Sequence, residues 1–296
     1  RGHRYACRDF GLNYLNSAQS EGYPIIFSLG DNDTFPLWYH QEVEGNRTDT
    51  RVCNLSYACI DWYVEQMLRP AYDSPALPLG WEEKDYKWGA IAYVQIEPEI
   101  AASFMSLYEK EPATMERVFG KAPFELKNIL KHWVFERADG MSDEDIRLRK
   151  YVKALVCGRE HEWQTADIRC FPSDSTYVSL PDGRRMNLSL AEEKLLLMND
   201  LLLLQLLSDT TINRPLYVTT SMDLNEISYI KPHLSLEGLL YKVVPACGEE
   251  NSIMVNTAVM YDNVMNRFRF GGLESGNIYA DYDVRKMLYA HQQKMA

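Results

Sequence analysis

Residues 24–39 read PIIFSLGDNDTFPLWY, and the change of character halfway along them decides the fold. Residues 24–29 form a short apolar run after a chain breaker, the pattern of a strand buried on both faces. Gly30-Asp31-Asn32-Asp33 then crowds polar groups into the turn. Thr34 or Asp33 can cap a helix from about Phe35 to Glu44, with Pro36 tolerated in its first turn and Gly45 ending it.

The rhythm extends in both directions. Tyr5 to Ser20 places Tyr5, Leu12 and Leu15 near one helical face, and Glu21-Gly22-Tyr23-Pro24 breaks that helix. Downstream, Thr50 to Leu55 (TRVCNL) reads as a second strand. Asp61 opens another helix, which Pro70 stops. β-α-β-α with short connections predicts parallel strands joined by right-handed crossovers. Further strands are expected within residues 88–96, 166–171, 176–180, 216–220 and 239–244. Residues 189–208 read as one long Leu-rich helix, with Ser189 and Glu192 as its capping box. The expected fold is α/β: three layers around a mostly parallel, Rossmann-like sheet. Residues 1–296 are expected to form a single domain, with a mainly helical insertion at about residues 98–165 and C-terminal helices at about 252–296.

Composition narrows the function. The 296 residues are 46% hydrophobic and 25% charged, ordinary for a folded protein with a substantial core. The formal net charge of −11 repels phosphate backbones, so nucleic acid is not an expected partner. None of the six cysteines lies in a C-x-x-C pair, which leaves zinc ribbons and thioredoxin-like sites unsupported. Cys53 and Cys170 sit in or beside apolar runs and read as small buried hydrophobes. The longest apolar run, Leu195 to Leu207, would span only about 20 Å as a helix, short of a bilayer core of about 30 Å. The chain starts at Arg1 and reads as a piece of something longer.

In open α/β sheets, ligands bind beyond the C-terminal ends of the strands. Asp31, Asn32, Asp33 and Thr34 follow the first expected strand; Ser56 and Asp61 follow the second. Trp38 and Trp62 lie on the helices beyond, where a ring face could stack on a sugar while carboxylates take its hydroxyls. These eight residues form the candidate ligand site. Asp31 and Asp33 also have the Asp-x-Asp form that can hold a divalent ion against a sugar-nucleotide diphosphate. Asp and Asn are equally the ordinary residues of loops and helix caps, and rings beside a sheet more commonly pack in a core. There is no G-x-S-x-G elbow, phosphate-binding P-loop or G-x-G-x-x-G turn, so hydrolase, NTPase and dinucleotide readings lack their usual support.

Longer blocks carry a resemblance. GDNDTFPLWY, QEVEGNRTDTRVCNLS and DWYVEQMLRP, followed by RPLYVTT, LEGLLYKVVP and MYDNVMNRFRFGG, resemble in content and order the soluble C-terminal part of a family of large multi-span bacterial membrane proteins. That family is of unknown function and is itself similar to protein O-mannosyltransferase-like membrane glycosyltransferases. The resemblance implies a soluble, extracytoplasmic (periplasmic) domain whose partner is the membrane part of its own parent chain. It would bind glycan or acceptor protein, or aid assembly, while the bond chemistry stays in the membrane part. No cofactor is expected on this reading. Two alternatives differ in class. One is a sugar-nucleotide glycosyltransferase with a divalent cation on Asp31 and Asp33 and with Asp61 as general base. The other is a purely structural domain.

Overall fold

The computed structural model describes residues 5–272, apart from 166, 191–194, 210–213 and 250–251, together with 282, 284–286, 289 and 293. The elements begin with α1 (Ala6–Ser17), β1 (Ile25–Ser28), α2 (Asp31–Glu42), β2 (Arg51–Asn54) and α3 (Asp61–Met67). There follow α4 (Glu83–Tyr86), β3 (Val94–Ile96), α5 (Ala101–Lys110), α6 (Pro112–Phe119), α7 (Leu126–Ile129) and α8 (Asp143–Val156). Next come β4 (Cys170–Phe171), β5 (Ser175–Ser179), β6 (Arg185–Ser189), β7 (Leu195–Leu196) and α9 (Met198–Ser208). The last are β8 (Leu216–Thr219), β9 (Leu234–Glu237), β10 (Leu240–Val243), β11 (Met254–Val255) and α10 (Thr257–Asp262). The fold is α/β, and the residues divide into two compact units, Arg1–Pro78 with Asn213–Ala296, and Leu79–Ile212.

The first unit holds a six-stranded sheet in the order β11-β9-β10-β8-β1-β2. β1 lies between β8 and the edge strand β2 and runs parallel to both. β10 runs antiparallel to β8 and β9, and β11 returns parallel to β9. Every residue of β1, β2 and β8 is buried, as expected of parallel strands covered on both faces. Phe10, Tyr14 and Leu15 of α1 and Leu37 of α2 pack on Ile26, Val52 and Tyr217 of the sheet.

In the second unit, breaks at Pro112 and Gly120 separate α5, α6 and α7, and the side chain of Ser142 caps α8 by accepting from Asp145 N–H. β3 lies between β4 and β7 in a three-stranded sheet. The expected helix over residues 189–208 is shorter than its sequence suggested. Ser189 ends β6, paired with Ser175 of β5, and Leu190 N–H donates to Asp174 O, so this stretch is committed to a hairpin. The helix begins only at Met198, where the Asp200 carboxylate accepts the Leu197 N–H. Every Leu of α9 is buried, the signature of a helix enclosed on all sides. No helix among the described residues is long and apolar enough to cross a membrane. The C-terminal helices expected over 252–296 appear as α10 and one further turn, Asn263–Arg267, after the short strand β11; residues beyond 272 lie mostly outside the described ones.

Candidate functional site

Gly30 adopts φ +80°, a conformation glycine reaches without strain, and lets the chain turn straight from β1 into α2. The helix therefore starts at Asp31, about four residues earlier than the sequence suggested. Asp31-Asn32-Asp33 is its first turn rather than a preceding loop, and its two acids sit where the positive end of the helix dipole favours them.

Four side chains knit the ends of β1 and β2 together. Thr34 Oγ1 donates to Gly30 O at 2.7 Å and lies 2.7 Å from Ser28 Oγ. It accepts from Asn54 Nδ2 at 2.9 Å. Asn54 Oδ1 in turn accepts the N–H groups of Ser56 (2.8 Å) and Tyr57 (3.3 Å), while Asn54 N–H donates to Tyr63 Oη at 2.8 Å. A second knot joins β1 to β8. Asp33 Oδ2 accepts from Thr219 Oγ1 at 3.3 Å, and Ser221 adds a side-chain bond. Buried Tyr14 on α1 lies 3.3 Å from Thr220 Oγ1 and donates to Ser221 Oγ at 3.2 Å. Burial raises the Asp33 carboxyl above its ordinary value despite these bonds, and raises the Tyr14 hydroxyl far more.

The predicted residues are thus only partly brought together. Asp33 and Thr34 are buried in the strand-end network. Asp31 is exposed and accepts from Tyr57 Oη at 2.9 Å, which raises that phenol. Asn32 and Ser56 are exposed. Asp61 turns to its own helix, accepting the Trp62 N–H at 2.7 Å, and Trp62 stands half exposed, edge-on to Tyr63. Trp38 stacks between Phe35 and Tyr57, with ring centroids at 5.8 and 6.3 Å. Among the described residues, neither Asp31 nor Asp33 joins a group of three His, Cys, Asp or Glu side chains whose ligand atoms lie within 4.8 Å of one another.

A hollow lies toward the other end of β2. A cavity of about 390 Å³ opens between α2, the start of β2, α3 and residues 69–72. Of the predicted residues, Trp38 alone lines it, beside Gln41, Glu42, Arg51, Gln66 and Tyr72. Arg51 is buried in its strand; Nη2 donates to Gln66 O at 2.5 Å and Nε reaches Met67 Sδ at 3.5 Å. Its Nη1 is buried with no hydrogen-bond partner among the described residues. That burial lowers the guanidinium from its usual value. Tyr72 donates to Glu42, and burial together with this bond pushes the phenol up to about 12. Sequence reading missed Arg51, though a charge inside the strand TRVCNL was a visible signal.

A family model described as TMEM260-associated domain 2 matches residues 7–262. No curated protein and no solved structure matches the chain.

Proposed function

The chain belongs to the TMEM260-associated domain 2 family, and we propose that it acts as a non-catalytic binding module of a membrane-glycosyltransferase-like parent, holding a glycan in the cavity beside Trp38. The observation that carries this reading is Arg51 Nη1, a buried donor without a partner among the described residues, on the wall of a hollow shared with three aromatic side chains. A buried unpaired donor costs about 1–3 kcal/mol, and a ligand oxygen that meets it recovers that cost. Tyr72 offers a ring face and Trp38, stacked between Phe35 and Tyr57, a ring edge, while Gln41, Glu42 and Gln66 offer the mixed donors and acceptors that sugar hydroxyls need. The resemblance of the long sequence blocks to O-mannosyltransferase-like membrane proteins supports mannose as the sugar class. It also supports an extracytoplasmic setting beside the membrane part of the parent chain. In this reading the bond chemistry belongs to that membrane part, and this domain presents or retains the acceptor.

Saturation-transfer NMR on the isolated chain with mannose, mannobiose and O-mannosyl peptides tests the proposal. Transfer to the sugar protons is expected. Arg51→Lys, which shortens the donor reach, is expected to weaken binding about tenfold, roughly 1.4 kcal/mol. Gln66→Ala, on an exposed residue, is expected to weaken it less. Absence of transfer from every sugar, or transfer unchanged in both variants, would refute the assignment.

A further inference from the structure

The second unit carries a cluster that the glycan reading does not use. β3 and β4 pair in parallel, with Gln95 opposite Cys170. Glu97 comes just after β3, and its N–H donates to Phe171 O at 2.7 Å. Cys157 is the residue that ends α8, its N–H bonded to Lys153 O at 3.1 Å. A carboxylate oxygen of Glu97 and the sulfurs of Cys157 and Cys170 all lie within 4.8 Å of one another. Cys170 is buried; the other two are half-buried. Glu97 also forms part of the wall of a cavity of about 350 Å³, with Tyr93, Gln95, Arg159, Asp167 and Arg169.

We propose that Glu97, Cys157 and Cys170 bind one zinc ion, with its fourth position open to that cavity. Packing alone explains two neighbouring thiols, since small sulfur side chains fill cores well. It does not explain a carboxylate brought to the same point, where burial disfavours the charge and Arg159 offsets that only in part. Zinc bonds of about 2.3 Å to sulfur and 2.0–2.2 Å to oxygen hold tetrahedral ligands roughly 3.5–3.8 Å apart, so small side-chain rotations close the cluster. Two sulfurs select a borderline-soft ion over magnesium or calcium, which prefer all-oxygen sites. The carbonyl end of α8 faces its last residues with partial negative charge, which also favours a cation at Cys157. On binding, two zinc–sulfur bonds form, two thiol protons leave to solvent, and the carboxylate supplies the third bond. The bound set carries a net charge of −1, and Arg159 on the same cavity wall can balance it. The spacing of the ligands hides them from a motif search, because they come from two strands and a helix end.

The test uses the full chain, stripped with chelator and kept reduced. Zinc alone should bind at one equivalent per chain and raise the thermal midpoint. Cobalt alone should give near-ultraviolet sulfur-to-cobalt charge transfer and the strong visible bands of a tetrahedral site. Cys157→Ser and Cys170→Ser should each abolish the charge-transfer signature or shift it to that of a single sulfur. Glu97→Gln should keep it while weakening affinity at least tenfold. Should the cysteine variants fail to fold, the cobalt spectrum of the unaltered chain decides by itself. No zinc uptake by the reduced chain, a cobalt spectrum without sulfur charge transfer, or a Cys157–Cys170 disulfide in protein isolated without reductant would each overturn the assignment.

Discussion

Asp33 Oδ2 and Thr219 Oγ1 share a hydrogen bond of 3.3 Å that joins the first turn of α2 to the end of β8. The bond bridges two segments 186 residues apart in sequence and helps hold β8 beside β1. It does not make the ionised acid favourable. Burial outweighs the bonds from Ser221 and Thr219, so the carboxyl titrates above its ordinary 3.8. The folded state then holds the proton more tightly than the unfolded chain does. The stability that Asp33 contributes therefore rises as pH falls from neutral through its raised pKa, and levels off below 3.8, where both states are protonated.

Asp33→Asn tests this relationship. The amide oxygen still accepts from Thr219, and the buried charge is gone. The variant is expected to be at least as stable as the parent at pH 7, with the difference shrinking toward pH 4. Urea unfolding at pH 4, 5.5 and 7 measures it. A variant that is less stable by the same amount at every pH would show that the bond, not the burial, governs Asp33.

Gly11 sets how closely α1 and α2 approach. A Cβ there would stand 2.6 Å from the carbonyl oxygen of Pro36 and 2.8 Å from its Cβ. Both obstacles belong to a proline inside α2, so neither can swing aside as a long side chain would. Alanine is the better helix former by about 1 kcal/mol. Gly11→Ala is nevertheless expected to destabilise by about 1–3 kcal/mol, the usual penalty for overpacking. A thermal melting point equal to or above the parent's would contradict the close backbone approach.

The first unit's framework was legible because its strands are short apolar runs punctuated by Gly and Pro: β1, β2, β8 and β10 fall where periodicity put them. The start of α2 was not, since only the positive φ of Gly30 lets a helix begin without a cap residue. The start of α9 was hidden for another reason. Leu195 to Leu207 is apolar enough for either strand or helix, and the pairing of Ser189 with Ser175 decides what precedes it. The strand-end chemistry was partly visible, as Asp33 and Thr34 show. The cavity was not, because Arg51 meets Gln66 O only after α3 folds back over β2. The cluster of Glu97, Cys157 and Cys170 needed three separate elements to converge, which no local pattern encodes.

Asn13 clamps a distant segment to α1. Its Nδ2 donates to Arg269 O at 2.8 Å while its Oδ1 accepts from Arg269 N–H at 2.9 Å. Asp9 Oδ2 accepts the nearby Gly271 N–H at 2.9 Å. Asn13 itself is 6% exposed, so its loss leaves the peptide group of Arg269 without these partners. Asn13→Ala is expected to cost about 1–3 kcal/mol, felt locally. Hydrogen exchange should speed up at residues 263–272 before it changes in β1 or β8. Uniform acceleration across the sheet would mean that the clamp supports the whole unit.

His132 gives the second unit an acid sensitivity of the opposite sign to that of Asp33. The ring is 5% exposed and its Nδ1 has no hydrogen-bond partner among the described residues. Burial lowers its pKa to about 3, with Arg149, Lys131 and Lys153 adding to the effect. The folded state therefore holds the ring neutral, while the unfolded chain protonates it near 6.5. Its contribution is fully present above pH 6.5 and is lost as pH falls toward 3, by up to about 1.4 kcal/mol per pH unit. His132→Gln is expected to lower stability at pH 7 by about 1–2 kcal/mol through lost packing, yet to flatten the pH dependence below 6.5. Urea midpoints at pH 7 and pH 5 separate the two effects: the parent should lose about 2 kcal/mol more than the variant over that interval. Equal losses in both proteins would show that the ring is protonated, or reaches solvent, in the folded state.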